Sequence, residues 1–205
     1  MTFANILSPR LVAVLFVAVS AISTVARGQN SLNSVVTTEQ VRAELMAHVP
    51  DGVDPGKTVW VGLQLAHQPQ WHTYWKNSGD SGQATSLNWT LPAGVSAGDI
   101  AWPLPVKIPI GTLANYGYEG TVLLPVPLTI SPDFKPNGLT AELEVKLQAS
   151  WLVCKQECVP QDGQFLLRIP TKGSIALNSA QFNAAFKAQP TALKVASSIT
   201  VEGNN

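Results

Sequence analysis

Both cysteines of this chain lie in one stretch, Trp151-Leu152-Val153-Cys154-Lys155-Gln156-Glu157-Cys158-Val159-Pro160. The stretch ends a longer run in which apolar and polar residues alternate, with apolar residues at the odd positions from Leu139 to Trp151. Alternation with a period of two is typical of a β-strand that has one face on a core and the other in water. The sequence therefore predicts a strand that ends at the cysteines, followed by a turn at Pro160 and Asp162-Gly163.

The spacing of the two cysteines limits what a bond between them can do. Only three residues separate Cys154 from Cys158, and by the loop-entropy model so small a ring stabilises a fold by only about 2 kcal/mol. Lys155 would favour a neighbouring thiolate and Glu157 would oppose it. We interpret the pair as a site of thiol–disulfide exchange, with an inert local bridge as the alternative. The spacing is not the Cys-x-x-Cys of a thioredoxin active site.

The composition of the chain narrows the class of protein. It has 205 residues, of which 45% are hydrophobic and 13% are charged, and its formal net charge is zero. A chain of this size can bury one sizeable core, and without a basic surplus it has no means of neutralising phosphates. The 15 glycines and 15 prolines favour short strands and many turns over a helical bundle. Nucleic acid is therefore not expected as a partner.

The N-terminus predicts the cellular compartment. Arg10 precedes an apolar run from Leu11 to Ala21, and small residues follow it. This is the pattern of a secretory signal peptide over residues 1–28, with cleavage near Ala26 or Gly28. The apolar run is shorter than the roughly 20 residues that a membrane span needs. An exported protein meets an oxidising environment, so a disulfide is expected.

The rest of the chain predicts an all-β fold. Short apolar-alternating runs separated by turn residues recur between residues 38 and 175, which is the pattern of an immunoglobulin-like antiparallel β-sandwich. Three prolines between Ala101 and Tyr118 predict a long ordered loop there. Residues 176–205 contain a helical spacing from Ser179 to Ala188 and the start of a further strand at Val195–Val201. An end just after a new strand begins is the pattern expected of the front part of a longer protein.

Metal binding and sugar binding are the competing interpretations. Two thiols together with His48, His67 and His72 are ligands that suit copper or zinc, but the histidine spacing does not bring them to the cysteines by sequence alone. The aromatic residues between Trp71 and Trp89 suit stacking on sugars, although core packing is their commoner use. The sequence therefore predicts neither a metal nor a cofactor at the cysteine pair.

Several motifs, taken in order, resemble a known family. These are the run from Trp71 to Gly82, Trp102-Pro103, the run from Tyr116 to Gly120, Leu124-Pro125-Val126, and the cysteine stretch. Together they resemble the N-terminal periplasmic domain of DsbD-type thiol:disulfide interchange proteins, and within it the branch of ScsB-like copper-tolerance proteins. The resemblance runs from about Val41 to Pro170, and any one motif alone would be weak.

The resemblance implies a fold and a redox function. The fold is an immunoglobulin-like sandwich in which Cys154 and Cys158 form the redox-active pair, without a cofactor. Electrons come from a thioredoxin-like domain and a membrane electron-transfer domain, and pass to oxidised periplasmic oxidoreductases, in roles that include cytochrome c biogenesis. The protein would then be a periplasmic component of a protein-disulfide reductase. The donor domains are expected in trans or in a missing part, and the sequence leaves open which cysteine attacks first.

The resemblance also implies a cap that shields the cysteine pair until a partner docks. By order along the chain the cap lies within Leu104–Tyr118. Lys155 and Glu157 are expected to modulate the pair, and the predicted candidates for the cap residue are Ile110, Leu113 and Tyr116. The rival hypothesis is a non-catalytic periplasmic binding module for copper or another ligand. Exchange requires a reachable, reversible disulfide, whereas metal binding requires histidines beside two persistent thiolates.

Overall fold

The computed structural model describes residues 33–136 and 141–191. The predicted signal peptide over residues 1–28, the strand start at Leu139 and the further strand at Val195–Val201 lie outside these ranges. Within them the elements are eleven strands and one helix: β1 Val35–Thr37, β2 Val41–His48, β3 Thr58–His67, β4 His72–Gly79, β5 Ser86–Thr90, β6 Val95–Ala97, β7 Val106–Ile110, β8 Leu113–Glu119, β9 Thr121–Ile130, β10 Glu142–Cys154, β11 Cys158–Pro170 and α1 Ser179–Lys187.

The strands form two antiparallel sheets that pack face to face. The first sheet has the order β1-β2-β3-β9-β6, and the second has the order β11-β10-β4-β8-β7, with β5 also paired to β10. The buried residues of both sheets form one core, whose largest fully buried members include Leu45, Leu63, Leu124, Leu147 and Phe165. The prediction of an all-β, immunoglobulin-like antiparallel sandwich is confirmed.

Strand β10 shows why these residues form a strand. Its odd positions face the core, and Leu143, Val145, Leu147, Ala149 and Trp151 are all at most 3% exposed. Because every second residue of β10 is apolar and buried, the register of its pairing is fixed. A slip by one residue would turn all of these apolar side chains towards solvent. β10 pairs with β11 along its entire length, from Glu142↔Pro170 to Cys154↔Cys158. The hairpin is therefore paired without interruption up to the two cysteines.

The turn of this hairpin differs from the predicted one. Pro160 and Gly163 lie inside β11, opposite Leu152 and Ala149, and the chain reverses at Lys155–Glu157 instead. β11 is the terminal strand of its sheet, and a terminal strand tolerates a proline because one of its sides needs no ladder donor. The turn that the sequence predicts after the cysteines therefore lies between them.

The prediction of a long loop from Ala101 to Tyr118 is also wrong in part. Strands β7 and β8 form a hairpin there, with Ile110 opposite Leu113. β7 is the other terminal strand of the second sheet, so Pro109 within it again removes no necessary donor. Only the segment up to Pro105 is without a strand.

The predicted helix is confirmed as α1, which packs on the outer face of the first sheet. Phe182 and Ala185 are buried against Met46 of β2 and Leu123 of β9. Among residues 33–136 and 141–191, no helix is long and apolar enough to cross a membrane.

Candidate redox site

The two cysteines close the end of the β10–β11 hairpin. Cys154 is the last residue of β10, Cys158 is the first of β11, and a disulfide with an S–S distance of 2.01 Å joins them. In the turn between them the Lys155 N–H donates a hydrogen bond to the Glu157 carbonyl, at 3.0 Å. Both sulfurs are thus held at a defined place at the end of the sandwich.

The two cysteines differ in access. Cys154 is 1% exposed, whereas Cys158 is exposed, as are Lys155 and Glu157 beside it. A displacement on sulfur requires direct approach to the attacked atom. Of the two sulfurs, that of Cys158 is therefore the more accessible one.

A histidine lies beside the pair on the next strand. His72 of β4 is the register partner of Cys154 on one side and of Glu119 on the other. Directly opposed residues of adjacent strands project to the same sheet face, so these side chains share the outer face of the second sheet. His72 is nevertheless only 2% exposed, and Tyr74, two residues further on the same face, is 1% exposed.

A line of polar contacts joins this histidine to the disulfide. The Tyr74 Oη atom lies 3.9 Å from the Cys158 Sγ atom and 3.4 Å from the His72 Nε2 atom. Burial lowers the pKa of His72 below its usual 6.5, although the nearby Glu119 carboxylate raises it. Burial also raises the pKa of the Tyr74 hydroxyl above its usual value. The buried imidazole is therefore neutral, and the tyrosine keeps its proton.

A second histidine ties the two sheets together at the same end. His67, at the end of β3, places Nδ1 2.8 Å from the Gly120 carbonyl and Nε2 3.0 Å from the Thr73 Oγ1 atom. A carbonyl can only accept, so Nδ1 carries the proton and Nε2 accepts from the threonine. Burial lowers the pKa of His67, against the opposing effect of the Gly120 hydrogen bond. The neutral ring therefore fits both contacts.

The segment 79–84 holds the tyrosine in place. Gly82 has φ +93°, and a side chain there would collide with the ring of Tyr74. The segment is fixed to β8 because the Asn115 Oδ1 atom accepts from the Ser81 N–H and hydroxyl, at 2.9 and 3.1 Å, and the Asp80 carboxylate accepts from the Ala114 N–H at 2.7 Å. This contact leaves Tyr74 little freedom to move away from Cys158.

A surface cleft lies directly beside the disulfide. Its volume is about 400 Å³, and it is lined by Trp71 together with the turn residues Lys155, Gln156 and Glu157. Trp71 also packs against the core, so an aromatic wall is fixed next to a charged turn. The two residues predicted to modulate the pair therefore line its immediate surroundings.

The predicted cap residues lie on the β7–β8 hairpin. Leu113 and Tyr116 are 41% and 37% exposed. The register places Ile110 and Leu113 on the sheet face that also carries Glu119 and His72. Tyr116 lies on the opposite face. Leu113 is six residues from Glu119 along β8, which is about 20 Å at the rise of a strand. The cap role of these residues stays a prediction.

The structure adds groups that the sequence did not single out for this site. Nothing in the sequence favours His72 over His48 and His67, and for Tyr74 the sequence predicts core packing, with stacking on a sugar as the alternative. Tyr74 is indeed buried, but its hydroxyl points to a sulfur. Among residues 33–136 and 141–191, no three or more His, Cys, Asp or Glu side chains come together as a metal site would require.

The fold is similar to a solved periplasmic domain. The N-terminal periplasmic domain of ScsB from Proteus mirabilis superimposes with a TM-score of 0.57 at 22% sequence identity, over 81% of this chain and 63% of that chain. The chain thus spans less than two thirds of that solved protein. The yeast GGA1 GAE domain matches with a TM-score of only 0.34 at 9% identity, over 66% of this chain and 98% of that chain, which carries no weight. No curated protein matches the chain in sequence.

The family follows from the sequence itself. Residues 39–170, which are more than half of the chain, match the model of the thiol:disulfide interchange protein DsbD N-terminal family. The matched range includes every residue of the line from Cys158 through Tyr74 and His72 to Glu119. The chain therefore belongs to the thiol:disulfide interchange protein DsbD, N-terminal family.

Proposed function

We propose that this protein relays electrons in the periplasm through a reversible Cys154–Cys158 disulfide. A reduced thioredoxin-like domain, itself recharged by a membrane electron-transfer domain, is the donor, and oxidised periplasmic oxidoreductases are the acceptors. The observation that carries the proposal is the asymmetry of the pair, with Cys158 exposed and Cys154 only 1% exposed. A bridge that serves only as a staple has no need of one reachable sulfur.

The exchange begins at Cys158. A thiolate of the donor attacks the Cys158 sulfur, the Cys154–Cys158 bond breaks, and Cys154 leaves as a thiolate that takes up a proton. The donor is then joined to Cys158 by a mixed disulfide. The second thiolate of the donor attacks the donor's own sulfur in that bond and releases Cys158 as a thiolate, which takes up a second proton. Two electrons and two protons have moved to this protein, and the donor holds the new disulfide.

The second half of the cycle runs in the opposite direction. The Cys158 thiolate attacks a disulfide sulfur of the acceptor, whose other sulfur leaves as a thiolate. Cys154, once deprotonated, attacks Cys158, restores the intramolecular disulfide and releases the acceptor in its reduced form. The cleft formed by Trp71 and the turn residues Lys155–Glu157 gives a partner an apolar wall beside the sulfur that it must reach.

Two variants with a single thiol each test which cysteine meets the partner. Cys154→Ser keeps the reachable thiol, and we expect it to accumulate a mixed disulfide with a single-cysteine thioredoxin activated by an aromatic thiol. Cys158→Ser keeps only the buried thiol, and we expect its capture to be slower by at least about tenfold, because access limits exchange. Non-reducing gels and release of the aromatic thiol measure the capture.

The two variants are matched controls for each other, since each removes one thiol and the same disulfide. Circular dichroism and denaturant unfolding establish that both are folded under the conditions of the assay. Equal capture by the two variants, or faster capture by Cys158→Ser, would contradict the proposed order of attack. Absence of capture by both variants would contradict the proposed exchange.

A further inference from the structure

The hydroxyl of Tyr74 lies between a redox sulfur and a buried imidazole. It is 3.9 Å from the Cys158 Sγ atom and 3.4 Å from the His72 Nε2 atom, and it has a single proton to donate. With the same geometry in a reduced protein, the hydroxyl can accept from a Cys158 thiol while it donates to His72. If the sulfur is a thiolate, the hydroxyl can donate to it instead, and its bond to the His72 Nε2 atom is then kept only if that nitrogen carries a proton and donates. The protonation state of the Cys158 sulfur and that of the His72 imidazole are therefore linked.

We propose that Tyr74 and His72 form a proton relay that generates and stabilises the Cys158 thiolate, an inference that rests on the proposed exchange at Cys158. The Cys158 S–H bond breaks and its proton moves to the Tyr74 oxygen, while the Tyr74 O–H proton moves to the His72 Nε2 atom. The products are a thiolate, a neutral tyrosine and an imidazolium, and no electrons change place. The reverse transfer returns the proton when Cys158 is the sulfur released from a mixed disulfide.

The surroundings suit each group to its role. Burial lowers the pKa of His72, so the imidazole is neutral near pH 7 and available as a base. Burial raises the pKa of Tyr74, so the hydroxyl passes a proton on without remaining ionised. Tyr74 contacts the reacting sulfur and is thus the catalytic residue, whereas His72 acts through it as a positioning residue.

The charged and titratable groups around His72 come from several elements. On β8 the Glu119 carboxylate is its register partner and favours the imidazolium, and on β10 Cys154 is its partner on the other side. A positive charge on His72 would lower the pKa of His67 on β3. Lys155 and Glu157 lie in the adjacent turn and are exposed. Glu119 is therefore the group expected to support the protonated relay.

The pH dependence of alkylation tests the relay. The parent is the full chain with Cys154→Ser, so that iodoacetamide reports on the Cys158 thiolate alone. We expect Tyr74→Phe and His72→Gln in this parent to react about tenfold more slowly at pH 7, the loss that one hydrogen bond to a charged group accounts for. At alkaline pH the rates should converge with the parent, because the thiol there ionises without help. A merely structural disturbance would change the rate at every pH.

Two further variants keep the test decisive. Tyr118→Phe is the matched control. It removes the hydrogen bond that a buried hydroxyl donates to the Pro103 carbonyl, at 2.8 Å, on the opposite face of the sheet. The pH profile of alkylation should be unchanged.

Glu119 is exposed, so Glu119→Gln tests the relay without removing a buried group. We expect it to slow alkylation at pH 7 in the same direction as His72→Gln, by a smaller factor.

The outcomes separate the relay from the exchange itself. If Tyr74→Phe, His72→Gln and Glu119→Gln all follow the parental profile while the parent still captures the activated thioredoxin, the relay is wrong and the exchange stands. If His72→Gln does not fold, an unchanged profile in Tyr74→Phe and Glu119→Gln overturns the relay equally. If the parent captures no thioredoxin, the exchange itself is overturned.

Discussion

Single residues at the disulfide end of the sandwich make its stability depend on pH. His67 and His72 both have a pKa below the usual 6.5, because burial disfavours their charged forms. The unfolded chain binds protons at a higher pH than the folded chain does. The contribution of both histidines is therefore complete above pH 6.5, and it is lost as the pH falls towards their folded-state pKa values. The contacts of His67 between the two sheets are made by its neutral ring.

The first prediction concerns His67. We expect the free energy of unfolding to fall as the pH is lowered from about 6.5 to 5, by at most about 1.4 kcal/mol per pH unit for each histidine that stays neutral. His67→Gln should flatten this slope, because glutamine does not titrate. Denaturant unfolding at a series of pH values measures it.

The control for this prediction is His48→Gln, which also removes an imidazole. His48 stacks on Phe182 of α1, at the end of the β2–β3 ladder away from His67. Glu144, whose pKa is lowered chiefly by its hydrogen bond to Lys146, acts in a lower pH window and does not confuse the result. A slope that persists undiminished in His67→Gln would contradict the account of this residue.

At the residue scale the sequence reveals the cysteines but not their neighbours. Cys154 and Cys158 are recognisable from their spacing and from the strand that precedes them. The position of His72 beside Cys154 depends on β4 being the neighbour of β10, with the register Cys154↔His72. His72 and Cys154 are about 80 positions apart in the sequence, and the pairing of distant strands is set by the whole core. The local sequence pattern therefore does not predict that β4 pairs with β10.

At the scale of elements, the segment 79–84 determines where the tyrosine hydroxyl points. Gly82 packs against the ring of Tyr74, and the carboxamide of Asn115 and the carboxylate of Asp80 fasten the segment to β8. Any side chain at residue 82 must displace the ring. Because the hydroxyl is at the end of the ring, a small displacement moves it away from Cys158.

Gly82→Ala tests this element. We expect it to cost about 1–3 kcal/mol of unfolding free energy from the steric overlap, beyond the cost of a positive φ, and to slow alkylation of Cys158 in the Cys154→Ser parent. Gly56→Ala is the matched control: Gly56 also has a positive φ, of +79°, but a side chain there meets nothing within 4 Å. It should cost only about 1–2 kcal/mol and leave the alkylation rate unchanged. Equal effects of the two substitutions would contradict the role given to this segment.

The elements also show where the proline signals of the sequence are misleading. The prolines predict a turn at Pro160 and a loop before Tyr118. In the structure Pro160 lies in β11 and Pro109 in β7, the two terminal strands of one sheet. A proline excludes a strand only where the strand has neighbours on both sides and every backbone N–H must donate a hydrogen bond to one of them. Which strands are terminal depends on the arrangement of the whole sheet and cannot be predicted from the local sequence.

At the scale of the whole molecule, the sequence was sufficient for the fold class. Regular alternation of apolar residues, dense turns and a single helical stretch predicted an antiparallel sandwich with α1 after it, and both are present. The predicted alternation is clearest in β10, whose core-facing residues are all buried. The sandwich places the disulfide at the end of its longest hairpin, where a partner can approach without disturbing the core.

The reduction potential of the Cys154–Cys158 pair tests the central claim most directly. The purified chain is equilibrated with glutathione or dithiothreitol buffers of graded potential, and its free thiols are trapped and counted. An electron relay predicts a value between those of thioredoxin and the oxidising periplasmic enzymes, roughly −270 to −120 mV. A value below about −300 mV would mean a disulfide that periplasmic partners do not reduce, and would contradict the proposed function.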